Sequence, residues 1–236
     1  SFILLLIMDQ RSSNIHIQLT RFVPSRSYID EIIKGGSPSL CRQGLACLAT
    51  LMLNVAAGAY GDAAIAGMSI VTRVCFFVYA FLIGLGQGFQ PVCGFNYGAK
   101  LYLRVREGFR FSVTAGSSFL LVVSTLGFIF APEIVETFRS DPEVVAVGSV
   151  ALRCQLAVLP LSAFTTMSNM MLQTIRFSVR ATILASARQG LFFLPLIIIL
   201  PHFLGLTGVE ICQSLSDVLT LLLTIPLTVP VLRKMK

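Results

Sequence analysis

The chain has 236 residues, of which 55% are hydrophobic and only 12% charged, whereas a soluble domain carries about 25% charged residues. With a mean hydropathy of +0.83, it has too little polar surface to wrap a soluble globule. The formal net charge of +7 is therefore a matter of membrane topology and not a nucleic-acid-binding surface.

In chain order, SFILLLIM at 1–8 is an apolar stub, too short to cross a membrane and without the basic flank of a signal peptide. It reads as the tail of a preceding transmembrane helix, and the chain as part of a longer protein. Residues 9–37 read as a polar connector on the cytoplasmic side, ending in a short amphipathic piece, Tyr28-Ile29 to Ile32-Ile33, suited to a membrane surface. Six spans are then expected near 38–58, 63–96, 107–131, 145–173, 181–201 and 207–230. Uncharged stretches such as Gln43 to Gly61 and Val74 to Ala99 reach the roughly 20 residues that cross about 30 Å of hydrocarbon as a helix. The predicted fold is all-α: a polytopic membrane protein whose six-helix bundle occupies 38–232, with a cytoplasmic tail at 233–236.

Particular residues stand out along these spans. The tetrapeptide RQGL occurs at Arg42–Leu45 and again at Arg188–Leu191, each time heading an apolar run. Both arginines are placed where a long side chain can snorkel to lipid phosphates, or else form part of a transport path or gate. The second span ends in GLGQGFQPVCGFNYGA, where Gly84 with Gly88 and Gly94 with Gly98 make small-xxx-small pairs. Pro91 lacks a backbone donor there, so the segment serves close helix packing or a hinge. Gln43, Asn54, Asn169, Gln173 and Gln189 are hydrogen-bonding groups within spans, available to a substrate path or to interhelical contacts; Arg73 either lines an outer vestibule or snorkels. Asp217 is the only carboxylate well inside a span.

The six cysteines show no paired spacing and read as small packing residues, with no metal site and no disulfide framework. Neither a phosphate-binding loop nor a nucleophile elbow is present, so no enzymatic chemistry and no cofactor is expected. Grouping the linker, the second and fourth inter-span loops and the carboxyl terminus on one side collects 15 of the 18 Lys and Arg there. That side is expected to be cytoplasmic and the chain a multi-pass protein of the cell membrane.

As a set, GGSPSLCRQGL, GDAAIAGMSIVTR, GFQPVCGFNYGA, MSNMMLQTI and ASARQGLFFLPLIIILP resemble the MATE family of multidrug and toxic-compound extrusion transporters, in its bacterial multidrug-resistance branch. The resemblance runs from the linker to the last span. It implies a transporter of twelve spans in two six-helix lobes, exporting organic, often cationic, drugs in exchange for protons or sodium ions by alternating access. This chain resembles the carboxyl-terminal lobe, so its implied partners are lipids, small organic substrates and an amino-terminal lobe. Ion coupling needs an ionisable group at membrane depth, which makes Asp217 the candidate; its alternative role is an internal salt bridge or hydrogen bond. Some members of the family carry a sodium-binding acid in the first helix of this lobe, but PSLCRQGLACLATLMLNVAAG has none. The other readings are a flippase for lipid-linked oligosaccharides from the same wider group, and a membrane fragment that transports nothing.

Overall fold

A computed structural model describes residues 25–235. The stub at 1–8, the linker as far as 24 and Lys236 lie outside the described residues. The chain divides into two compact units, 1–34 and 35–236. In the first, the amphipathic piece expected at Tyr28–Ile33 is helical, and Tyr28, Ile29, Ile32 and Ile33 are all exposed.

The described residues are built from helices, the first of which begins in the first unit. Helix α1 spans Arg26–Gly58, α2 Asp62–Gly98, α3 Tyr102–Ile129, α4 Ala131–Phe138, α5 Pro142–Val158, α6 Ser162–Thr174, α7 Ser178–Ser186, α8 Phe193–Leu204 and α9 Leu206–Lys234. A 3-10 turn at Leu159–Leu161 joins α5 to α6, and a π-helical turn at Ala187–Phe192 joins α7 to α8. Counting each joined pair once, six helical segments among the described residues are long and apolar enough to cross a membrane. They match the six expected spans. The short α4 was not expected; Pro132 at its start and the wet side chains of Glu133 and Glu136 explain a brief surface helix between spans. Helix α1 also begins well before the expected boundary, inside the stretch read as linker.

Both broken spans have local causes. Pro160 has no N–H to continue the α-helical ladder, so the fourth span tightens into a 3-10 turn; its carbonyl accepts a bond from Ser117 Oγ at 3.4 Å. In the fifth span the π turn adds a residue to one turn of helix, and there the Ser216 hydroxyl donates to the carbonyl of Arg188 at 2.5 Å. By contrast, α2 runs through Pro91 without interruption, and Pro91 itself is exposed.

Small residues set how closely the helices approach. A Cβ on Gly67 would stand 3.2 Å from the backbone nitrogen of Gly148, so α2 and α5 cross almost backbone to backbone. On Gly86 it would meet the sulfur of Met170. The glycines predicted for packing behave differently: among the described residues, a Cβ on Gly84, Gly88 or Gly98 would meet no other part of the protein within 4 Å, whereas on Gly94 it would meet Thr174 Cγ2 at 3.2 Å. Spacing alone passed over Gly86, which is buried and whose neighbours at i−4 and i+4 are Leu82 and Gln90 rather than glycines.

Two of the hydroxyls on α9 are satisfied within the helix. Thr220 and Thr224 donate to the carbonyls of Ser216 and Thr220, each at 2.7 Å, so these two buried groups need no distant partner. Outward, large residues such as Phe77, Phe95, Phe111 and Phe203 are exposed, as a surface facing lipid requires. The loops after α2 and α6 share one stop signal: Leu101 N bonds Asn96 O and Phe177 N bonds Leu172 O, with Lys100 (φ 60°) and Arg176 (φ 63°) left-handed at the turn.

Candidate functional site

The centre of the bundle holds an ion pair. Arg188, on the π turn, donates from Nε to Asp217 Oδ1 at 2.6 Å and from Nη2 to Oδ2 at 3.3 Å. Asp217 is in the middle of α9, about 17 Å along its axis from Leu206, and its side chain is 4% exposed. Two amides complete its shell. Gln155 of α5 donates from Nε2 to Oδ2 at 2.7 Å, and Gln213, one turn earlier on α9, donates to Oδ1 at 3.4 Å. Four N–H donors thus hold the carboxylate, which is what a charge withdrawn from water requires. The guanidinium carbon of Arg188 stands 4.3 Å over the ring of Tyr79, a stacked geometry that suits a planar cation. The Tyr79 hydroxyl is fixed in turn by donating to Ser162 Oγ at 2.5 Å, where α6 begins.

Both interrupted spans therefore meet this centre, one supplying Arg188 and the other holding Tyr79 through Ser162. The snorkelling role expected of Arg188 is corrected: its side chain turns inward to Asp217, because the π turn rotates it onto the face that α9 covers. The salt bridge foreseen as one role of Asp217 is present, with a partner that spacing does not reveal, since the two residues lie in different spans.

Beside the pair is a cavity of about 320 Å³. Of the residues marked for a transport path or gate, Arg42, Gln43, Asn169, Arg188 and Gln189 line it. Asn54, Arg73 and Gln173 do not: the first two are exposed, and Gln173 bridges Ser39 (3.1 Å) and Gln90 (3.5 Å) outside it. Asn169 lines the wall while donating from Nδ2 to the Ala181 carbonyl at 2.7 Å, tying α6 to α7. Apolar walls come from Leu53, Met68, Val71, Phe76 and Met170. Among the lining residues that escaped the sequence reading are Gln155, Gln213 and Glu210. A helical-wheel check around Asp217 would have found two of them, since 210, 213 and 217 fall on one face. No group of three or more His, Cys, Asp or Glu able to hold a metal occurs among the described residues.

Comparison with known proteins gives the family and the fold. The family model described as MatE matches residues 38–199. The multidrug export protein MepA of Staphylococcus haemolyticus is 25% identical over 205 residues, 87% of this chain and 45% of its own length. MepA of Staphylococcus aureus strain NCTC 8325 is 26% identical over 208 residues, 88% of this chain and again 45% of its own. The chain spans about half the length of the curated relatives it matches. A solved MATE structure in the bent conformation superposes with a TM-score of 0.88 at 22% identity, over 99% of this chain and 52% of that one. The fold is thus that of half a MATE transporter.

Proposed function

From the premise that the chain belongs to the MatE family, we propose that it forms the carboxyl-terminal six-helix lobe of a secondary active efflux transporter. It would export organic, often cationic, compounds in exchange for protons or sodium ions by alternating access, with an amino-terminal lobe closing the other side of the path. The observation that carries this reading is the superposition of the whole described bundle on about half of a MATE transporter. The central cavity supports it: the lining mixes apolar residues with charged and amide groups from several helices, the makeup of a small-molecule site. The excess of Lys and Arg at one end of the bundle supports a cytoplasmic placement for that end and for the carboxyl terminus.

Within this reading, Asp217 couples ion movement to the conformational cycle. A proton arriving on its carboxylate would cancel the charge that holds Arg188, release the guanidinium from its clamp and loosen the joint between the π turn and α9. Such a switch uses one small ligand to bias a packed interface between two arrangements.

The reading is tested by ethidium efflux from cells expressing the chain from its own gene, with wild type beside Asp217→Asn. Wild type is expected to lower cellular ethidium only while an ion gradient persists, and an ionophore should abolish the effect. Asp217→Asn is expected to slow efflux by about ten-fold or more. Efflux of wild type unaltered by collapse of both proton and sodium gradients would overturn the antiporter reading, and wild-type efflux rates in the variant would remove Asp217 from coupling.

A further inference from the structure

Two carboxylates share one face of α9, and their surroundings are opposite. Glu210 and Asp217 are two helical turns apart, about 10 Å along the axis. Asp217 has its arginine and two glutamines. Glu210 is 7% exposed, lines the central cavity, and has neither a hydrogen bond nor an ion pair among the described residues. On α5 the thiol of Cys154 lies within electrostatic reach of it, and that thiol brings no positive charge. Of the two cations lining the cavity, Arg188 is committed to Asp217 and Arg42 lies at the opposite, basic end.

A carboxylate kept from water without a counter-charge is costly, unless a cation completes the site. Around this one the space is about 320 Å³, at the lower end of the range for small-molecule pockets, and largely apolar. Leu53, Met68 and Val71 line it, and by their positions in α1 and α2 they share the end of the bundle where α9 begins. We propose that Glu210 is the anionic anchor for the positive centre of a bulky organic cation whose apolar body rests on Leu53, Met68 and Val71. This rests on the transporter reading and adds to it a division of labour: Asp217 answers to the coupling ion, while Glu210 selects the charge of the cargo.

The test is equilibrium binding to the chain expressed from its own gene and purified in detergent. The probes are tetraphenylphosphonium, a permanent cation with no hydrogen-bond donor, and triphenylphosphine oxide, a neutral relative of similar shape. Glu210→Gln is expected to weaken tetraphenylphosphonium binding about ten-fold, corresponding to about 1.4 kcal/mol, while leaving the neutral probe within about two-fold. Glu210→Asp should retain most of the preference for the cation. Unchanged cation binding in Glu210→Gln, or an equal loss of both probes, overturns the proposal and leaves the transporter reading standing. If wild type binds neither probe, the transporter reading fails and this inference falls with it.

Discussion

Removing one member of the Arg188–Asp217 pair leaves the other buried without its counter-charge. A broken buried pair costs about 3–5 kcal/mol, so Arg188→Ala should lower the thermal unfolding midpoint in detergent sharply. Arg188→Gln combined with Asp217→Asn replaces two charges by two amides that still bond Gln155 and Gln213, and this double variant should unfold at a higher temperature than Arg188→Ala. Equal midpoints would mean that the pair adds nothing beyond its separate contacts. This clamp was half legible beforehand. An acid in the middle of a span announces itself, whereas its partner, in another helix on a turn that departs from the α period, does not.

At the scale of elements, interruptions do as much as helices. The fourth and fifth spans are both broken beside the site, by Pro160 and by the π turn, and at each break a serine from a neighbouring helix donates to a backbone carbonyl. The turn between α8 and α9 is as closely built: Gly205 has φ 61°, and a Cβ on Gly208 would lie 2.5 Å from the carbonyl oxygen of Leu200. Backbone cannot yield there as a flexible side chain would, so Gly208→Ala should push α9 away from α8. We expect a destabilisation of about 1–3 kcal/mol, seen as a lower unfolding midpoint, whereas Gly88→Ala, which meets nothing within 4 Å, should leave it unchanged. Comparable losses in both variants would contradict this account of the packing. Small-residue spacing pointed to the right helix and to Gly94 but passed over Gly86, because a linear pattern gives no angle of rotation about the helix axis.

For the whole molecule, the orientation proposal makes a direct prediction. An impermeant maleimide applied to intact cells should label Ser140→Cys, in the loop between α4 and α5, above the background of the parent chain, and should not label Lys234→Cys until the membrane is opened. The reverse pattern would invert the topology. The sequence by itself determined that the chain is helical and membrane-spanning, where its six spans lie, and through the motif set which family it resembles, since hydropathy over 20 residues and local motifs are properties of neighbours along the chain. Only the tertiary structure decided which groups meet: that Arg188 closes on Asp217, that Glu210 has no partner among the described residues, and that Gly67 and Gly148 touch. These follow from helix rotation and from the two broken turns, which arise when separate spans pack and carry no signature in the order of residues.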